Sequence, residues 1–313
     1  MNISPLKNNL SNTHNHVAVL DIGSNSFHLT IVQINNKKLN IIHKSKYKVG
    51  LADGLVNTGL INPDAFSLGL ETLKKVKVVL EHYPIKTVRV IATQALRCAN
   101  NTNDFISQAQ NVFPYPIEVI QGKEEARLIY KGVISQVYSE QVQLVIDIGG
   151  GSSEFVIGHG LEPKLLTSLN IGCVSFTNQF FADGQVSLEN FNNAIQAAST
   201  EIKNIAQTYK QLGWETCLGT SGSIESIFSV IEMMDKNKLV TLHNLETLMS
   251  QIIEFKSIDA LQLGDINKER QHVFPAGLAI LIAMFRTLTI TQMQYSHADL
   301  GQGVAFEIIE KQD

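Results

Sequence analysis

The feature that most constrains this chain is a glycine-rich segment set between two short apolar runs. It extends from Val145 to Ile157 and reads VIDIGGGSSEFVI. The pattern predicts two strands joined by a turn of three glycines and two serines, with Asp147 and Glu154 at the two ends of the turn. Glycine has no Cβ, so backbone N–H groups in such a turn can approach a bound anion closely. Taken alone, the segment is equally typical of a glycine-rich hairpin that binds nothing.

A second copy of this unit near the N-terminus favours the anion site. The segment from Val19 to Ile31 reads VLDIGSNSFHLTI, and aligned without gaps it places Asp21 on Asp147 and Ser26 on Ser152. A strand–Asp–Gly–hydroxyl–strand unit repeated at a domain-sized interval indicates a duplicated architecture. Two such hairpins facing across a cleft would resemble the phosphate clamp of the actin, sugar kinase and Hsp70 superfamily.

Length and composition bound the function further. A chain of 313 residues suggests two domains, each with its own core. The net charge of −4 gives no global basic field for a nucleic acid, so a polyanionic ligand must be bound by local Lys and Arg side chains. Three cysteines without a CxxC pair and nine histidines without an HExxH spacing argue against a disulfide framework and a zinc site.

The ends of the chain and its longest apolar run give expectations about location and domains. Residues 1–16 are polar and lack the apolar centre of a signal peptide, so we expect a flexible tail. The run from Ala276 to Phe285 is too short to span a bilayer. We therefore expect a cytoplasmic protein with a first domain at 17–124 and a second at 125–313. Its last helix, from about residue 300, is expected to pack back on the first domain.

Two other segments are candidates for the same cleft. The segment from Gly219 to Ser223 reads GTSGS and stands between a predicted strand and a predicted helix, where anions often bind. The alternative is a plain loop in which Ser221 caps the helix. Glu124 and Glu125 lie in the first turn of another predicted helix, where acids are common because they suit the helix dipole. That preference does not require either carboxylate to point into a cleft.

In their order along the chain, these motifs resemble those of the exopolyphosphatase/guanosine pentaphosphate phosphohydrolase family (Ppx/GppA). The resemblance covers nearly the whole chain after the tail. The matching segments are DIGSNSFH at 21–28, LADGL at 51–55, ATQALR at 92–97, EEAR at 124–127, DIGGGSSE at 147–154, GTSGS at 219–223 and FPAGL at 274–278. Each signal is weak or moderate, but the ordered set is specific. It implies an α/β fold of two actin-like (ribonuclease H-like) domains with a phosphate-binding cleft between them.

The resemblance also implies a reaction and the residues that perform it. Members of the family remove the terminal phosphate of inorganic polyphosphate, or the γ-type phosphate of guanosine pentaphosphate, with Mg²⁺. The catalytic acid corresponds to Glu125, and the metal-binding carboxylates correspond to Asp147 and Glu154. With the third loop included, the expected phosphate-binding residues are Ser24, Asn25, Ser26, Arg97, Gly149, Gly150, Gly151, Ser152, Gly222 and Ser223.

The chain departs from the family pattern in three places. It stops before the C-terminal helical domains of the HD type that longer relatives carry, so it resembles a short form. Ser153 stands where many relatives have Thr, which keeps the hydroxyl. Gly301 and Gln302 stand where relatives often have Arg and Glu, and we expect the loss of these two charges to affect substrate binding.

Several alternatives stay open on the sequence alone. Six basic residues are either a track for a polyphosphate chain or solvent-exposed charges, and they are Lys44, Lys46, Lys48, Arg97, Lys123 and Arg127. A small-molecule kinase of the same superfamily would also have paired phosphate loops. A non-catalytic regulator would bind guanosine tetra- or pentaphosphate without releasing phosphate. The phosphate loops do not separate polyphosphate from guanosine pentaphosphate, and a homodimer is a reasonable expectation.

Overall fold

The protein is built from two five-stranded sheets that have the same topology. The computed structural model describes residues 15–35, 38–234 and 239–311. In the first sheet the strands lie side by side in the order third, second, first, fourth and fifth, and the second sheet repeats this order with its own five strands. In both sheets the first three strands form an antiparallel meander, and the last two run parallel to the first strand. The predicted duplication, and with it the two actin-like halves, is confirmed.

The first half supplies five strands and five helices. Its elements are β1 (Asn15–Ile22), β2 (Ser26–Asn35), β3 (Lys38–Lys48), α1 (Leu55–Thr58), α2 (Pro63–Glu81), β4 (Ile85–Ala92), α3 (Gln94–Cys98), α4 (Thr102–Gln110), β5 (Ile117–Val119) and α5 (Gly122–Gln136). Residues 1–14 of the predicted tail lie outside the described residues, and Asn15 and His16 begin β1. The predicted domain boundary at 124/125 falls within α5 and stays a prediction.

The second half repeats the sheet and adds longer helices. Its elements are β6 (Val142–Ile148), β7 (Ser153–His159), β8 (Glu162–Leu169), α6 (Cys173–Phe180), α7 (Leu188–Leu212), β9 (Thr216–Thr220), α8 (Gly222–Met234), α9 (Leu242–Ile253), a 3₁₀ turn (Ile258–Ala260), α10 (Lys268–Leu288), β10 (Gln294–Tyr295) and α11 (Leu300–Glu310).

Two elements extend beyond their predicted bounds, and both extensions reach the cleft. The apolar pattern of the sequence predicts a third strand at 39–43, whereas β3 continues through the basic residues to Lys48. The sequence also predicts a helix at 275–289, but α10 begins seven residues earlier, because the side chain of Asn267 caps it by accepting a hydrogen bond from the Arg270 N–H at 3.0 Å. Pro275, a residue type common in first turns, lies inside the helix instead.

Helices α5 and α11 lie between the two sheets. They share an apolar cluster with Val17 and Val19 of β1 and with Val145 and Val156 of the second sheet. The two helices pack in close backbone contact at their glycines, Gly132 and Gly303. The C-terminal helix therefore packs on the first sheet.

The helix α10 is the apolar centre of the second half. It is the one helix in the described part of the chain that is long and apolar enough to cross a membrane, by length and composition only. Within the protein, 78% of that apolar window is buried. Burial of this extent is also what a central core helix shows.

Candidate functional site

The ends of the two hairpins meet at one cavity. Its volume is about 510 Å³, which is in the range of small-molecule sites. The turn between β1 and β2 closes with a hydrogen bond from the Gly23 N–H to the Ser26 carbonyl at 3.1 Å. The turn between β6 and β7 closes in the same way, from the Gly149 N–H to the Ser152 carbonyl at 2.9 Å. We call this space the cleft cavity.

The two turns approach each other closely across the cleft cavity. A Cβ built on Gly150 would lie 3.0 Å from the Cβ of Ser24, so a side chain at residue 150 would push the turns apart. Ser24 is itself fixed by donating from Oγ to Oε1 of Gln94 at 3.1 Å. Glycine at position 150 thus allows two sets of backbone and hydroxyl donors to face one small volume.

The third loop joins the same cavity through Gly222 and Ser223. Ser221 has a φ of 85°, and its hydroxyl donates to the Ile148 carbonyl at 3.0 Å. The Ile148 N–H lies 3.3 Å from the same hydroxyl. The side chain of Ser221 therefore ties the loop to the end of β6, and does not cap α8 as the alternative had it.

The carboxyl group of Glu125 lies in the cleft cavity, in the first turn of α5. The residue is 7% exposed. Nη1 of Arg97 donates to Glu125 Oε2 at 3.1 Å and to the Ile120 carbonyl at 2.9 Å. Burial raises the pKa of Glu125, Arg97 lowers it and Asp21 raises it, and the result is about 7. A carboxyl group with such a pKa can both hold and release a proton near neutral pH.

Three other carboxylates surround Glu125. Burial, Glu125 and Asp21 raise the pKa of Asp147 well above its usual range. Burial, Glu125 and Asp147 do the same for Glu154, although Ser168 donates a hydrogen bond to Glu154 Oε1 at 2.7 Å. Asp21 Oδ1 and Glu154 Oε2 are buried, and no hydrogen-bond partner is found for either among the described residues. Negative charges held this close repel one another. The cluster therefore favours binding a cation, or keeping some of its carboxyl groups protonated.

These carboxylates fit a hard cation such as Mg²⁺, which prefers oxygen ligands. Among the described residues, no group of three or more His, Cys, Asp and Glu side chains is arranged to hold a metal ion. Mg²⁺ commonly binds through one or two carboxylates, completing its shell with waters and substrate phosphates. The carboxylates of this cluster match that mode of Mg²⁺ binding.

Eleven of the thirteen predicted site residues line the cleft cavity. They are Ser24, Asn25, Ser26, Glu125, Asp147, Gly149, Gly150, Gly151, Ser152, Gly222 and Ser223. Arg97 and Glu154 lie behind this surface, where Arg97 contacts Glu125 and Glu154 stands opposite Asp147 in the β6–β7 register. The predicted contact of Arg97 with phosphate and that of Glu154 with a metal ion stay predictions.

Two of the six basic residues line the cleft cavity. They are Lys44 and Lys46, on the extended β3, and Nζ of Lys44 pairs with Asp299 at 2.7 Å. Arg127 instead pairs with Glu124 and Glu307, and Arg97 pairs with Glu125. Lys48 and Lys123 are not among the lining residues.

Gln94 and Arg270 are two of the lining residues that the sequence analysis missed. Gln94 begins α3 after β4 as Gly222 begins α8 after β9, so extending the duplication to the fourth strand of each half would have found it. Arg270 lies over Gly222, where a Cβ would overlap the guanidinium. It was missed because α10 was predicted to begin after it.

The chain is similar to known proteins over most of its length. Residues 30–312 match the model of the Ppx/GppA phosphatase family. A Haemophilus influenzae protein provisionally named an exopolyphosphatase is 40% identical over 93% of this chain and 91% of its own length. A guanosine-5'-triphosphate,3'-diphosphate pyrophosphatase of Aeromonas hydrophila is 41% identical over 93% of this chain. The chain spans only 59% of that relative's length.

Solved structures agree as well. The crystal structure of the Aquifex aeolicus member of the same family superposes with a TM-score of 0.79 at 25% identity, covering 96% of this chain and 99% of that one. The family-model match includes the second hairpin, the third loop and the Glu125 helix, whereas the turn of the first hairpin lies before its first matched residue. The chain therefore belongs to the Ppx/GppA phosphatase family.

Proposed function

We propose that this chain is a phosphoanhydride hydrolase that releases the terminal phosphate of inorganic polyphosphate, of guanosine pentaphosphate, or of both. The observation that carries the proposal is the buried carboxyl of Glu125, with a pKa of about 7, in the cavity where the two glycine turns meet. The names of the relatives, an exopolyphosphatase and a guanosine-5'-triphosphate,3'-diphosphate pyrophosphatase, support the same reaction.

In this proposal the two turns and the third loop bind the terminal phosphate. The phosphate would lie between the Ser24–Ser26 turn and the Gly149–Ser152 turn, which approach each other across the cavity. Arg270 and Lys46 add positive charge to the wall, whereas Lys44 pairs with Asp299 there. Donors arranged in advance around developing negative charge lower the barrier to phosphoryl transfer.

Glu125 acts as the general base. Its ionised carboxylate orients a water molecule and takes its proton as the water oxygen bonds to the terminal phosphorus. The anhydride P–O bond to the rest of the substrate breaks in the same step, and the shortened phosphate chain leaves with the electron pair of that bond. Arg97 is a positioning residue, because its hydrogen bonds fix the carboxylate relative to the backbone at Ile120. General-base catalysis is typically worth about 10²–10⁴ in rate.

Mg²⁺ is the proposed cofactor. Asp147 would hold it, with Asp21 and Glu154 as further carboxylates, since Asp21 Oδ1 and Glu154 Oε2 are buried without a partner among the described residues. When bound, the ion neutralises charge on phosphate oxygens. The cytoplasmic location and the homodimer expected from the sequence remain proposals.

The test compares phosphate release from long-chain polyphosphate, guanosine pentaphosphate and ATP, with and without Mg²⁺. We expect release from one or both of the first two substrates, dependent on Mg²⁺ and abolished by chelation. ATP turnover that requires a small-molecule acceptor would identify a kinase instead. Tight binding of guanosine pentaphosphate without any phosphate release would identify a non-catalytic regulator.

A further inference from the structure

The side chain of Gln94 lies against both glycine turns of the cleft. Its Oε1 accepts a hydrogen bond from Ser24 Oγ at 3.1 Å, which joins the amide to the first turn. A Cβ built on Gly151, in the second turn, would overlap Oε1 and Cδ of the same amide. Gln94 itself begins α3 after β4 and belongs to neither hairpin. Its amide therefore occupies the space between the two turns.

Glycine at position 151 is required by this side chain and not by the backbone. The three atoms nearest to a Cβ at position 151 all belong to the Gln94 amide. The φ of Gly151 is not in the positive range, so alanine can adopt the backbone conformation found there. The absence of a side chain at 151 thus leaves the room in which the Gln94 amide lies.

The amide of Gln94 has a free donor. Its oxygen is engaged by Ser24, and among the described residues Nε2 makes no hydrogen bond. Nε2 is not one of the buried polar atoms that lack a partner in this part of the chain, so it is accessible. Gln94 and Glu125, the proposed base, line the same cavity. An accessible N–H group on this wall can donate to an anion in the cavity.

The charges around the cleft cavity give an uncharged donor a distinct value. In the described part of the chain the lining holds two lysines and one arginine against five carboxylates, which are Asp21, Glu125, Asp147, Glu225 and Asp299. One of the lysines, Lys44, pairs with Asp299 at 2.7 Å. The N–H groups of the Gln94 amide are engaged by none of these carboxylates, so they stay available to phosphate oxygens.

We propose that Gln94 is a further phosphate-binding residue, whose Nε2 donates a hydrogen bond to an oxygen of the terminal phosphate. Ser24 holds the oxygen end of the amide, and the backbone of Gly151 supports its face. The direction of the donor therefore depends on both turns. This inference rests on the proposed function and adds one donor to its site.

The first test separates a direct donor from a residue that only holds Ser24. Gln94→Glu keeps an oxygen that can accept from Ser24, but it has no N–H and carries a negative charge. Gln94→Met keeps a chain of similar length with neither group. At about pH 8, where a carboxyl group is normally ionised, both variants should lower kcat/KM for phosphate release by about 10- to 100-fold. Gln94→Glu should be impaired at least as much as Gln94→Met.

A binding measurement is independent of turnover. In the Glu125→Gln background, with Mg²⁺ present, Gln94→Met should weaken the affinity for inorganic tripolyphosphate in calorimetry by about 10-fold or more. The matched control is Gln136, which is exposed on α5 and donates from Nε2 to Gln302 Oε1 at 2.8 Å. Gln136→Met should leave both the affinity and kcat/KM unchanged.

A second variant tests the shared space without changing Gln94. In Gly151→Ala the added Cβ should displace the amide from Ser24 and lower kcat/KM to a similar extent as Gln94→Ala. In the Gln94→Ala background the same Cβ has room, so the two changes together should cost about as much as either alone. Fully additive losses would overturn the support that Gly151 is proposed to give Gln94.

The outcomes distinguish this inference from the proposed function. Suppose that the wild type releases phosphate, and that Gln94→Glu keeps the wild-type kcat/KM while Gln94→Met loses it. Gln94 then only holds Ser24, so the donor is overturned and the hydrolase stands. Unchanged rates and affinities in both Gln94 variants also reject the donor alone. Weaker tripolyphosphate binding by Gln94→Met in a chain that releases no phosphate supports the donor and rejects the hydrolase.

Discussion

The guanidinium of Arg97 joins the Glu125 carboxylate to the backbone carbonyl of Ile120, at 3.1 Å and 2.9 Å respectively. Arg97 lies on α3 and Glu125 on α5, so this contact fixes the proposed base against the end of the first sheet. It also opposes the burial that raises the pKa of Glu125, leaving that pKa at about 7. One arginine therefore sets both the position and the protonation of the carboxyl group.

Replacing the proposed base should abolish turnover without harming the fold. We expect Glu125→Gln to lower kcat by about 10²–10⁴ on the preferred substrate, because the amide cannot take a proton from water. The matched control is Glu124→Gln, one residue away on α5, whose carboxylate pairs with Arg127 instead. The measurement is steady-state phosphate release, with circular dichroism to verify folding. A well-folded Glu125→Gln variant that keeps more than about a tenth of the activity contradicts the assignment.

The protonation of Glu125 predicts how activity depends on pH. The base acts only when ionised, so kcat/KM should fall as the pH drops below about 7. Arg97 lowers this pKa, so Arg97→Gln should move the acidic limb to higher pH. The surface residue Arg286, which pairs with Glu246, provides the control Arg286→Gln. The Arg97 assignment fails if both variants keep the wild-type limb.

The carboxylate cluster predicts that replacing Asp147 stabilises the protein and abolishes its activity. Its pKa is raised in the folded state, so the folded protein binds this proton more tightly than the unfolded chain does. Stability is then lost as the pH rises from the ordinary value of 3.8 through the folded pKa. We expect Asp147→Asn to raise the Tm, and by more at about pH 8 than at about pH 5, while activity is lost.

The control for this prediction is Asp265→Asn, at an exposed loop position. It should give no pH-dependent gain in Tm, because ionising an exposed carboxylate costs little free energy. Thermal unfolding followed by circular dichroism at both pH values, in the presence of a chelator, decides the matter. A lower Tm for Asp147→Asn at about pH 8 would count against a repulsive cluster.

The sequence predicted the hairpins and the Glu125 helix because their signals are local. The Asp–Gly–hydroxyl pattern around Asp21 and Asp147 specifies a turn by itself, and its repetition specified the two halves. Lys44 and Lys46 were harder to place. The HKSKYK stretch of β3 has no apolar alternation, so it was read as a segment following the strand, although its pairing with β2 continues to Lys48.

The position of Arg270 and the contact between Phe228 and Tyr295 depend on tertiary packing. Arg270 enters the cleft because Asn267 starts α10 early and because Gly222 leaves room for the guanidinium. Tyr295 meets Phe228 only through the packing of β10 against α8 and β9. No short-range pattern in the sequence carries these contacts, which join segments far apart along the chain.

The last prediction concerns Glu307, which holds α11 in place. Its side chain is 4% exposed and pairs with Arg89 at 2.9 Å, with Arg127 and with Lys311. Burial raises the pKa of Glu307, but hydrogen bonds from Lys311, Arg127 and Arg89 outweigh burial and lower it to about 2. The stabilisation is therefore complete above the ordinary value of 4.5 and is lost as the pH falls towards 2.

We expect Glu307→Gln to lower the free energy of unfolding by about 1–3 kcal/mol at neutral pH, since it removes the buried carboxylate that Arg89, Arg127 and Lys311 share. The loss should be smaller at about pH 4, where the wild type already loses part of this stabilisation. Glu310→Gln, which breaks the more exposed pair with Lys131, is the control and should cost under about 1 kcal/mol. Urea unfolding at both pH values measures these differences. An equal loss at both values would mean that packing, and not charge, is what Glu307 contributes at this position.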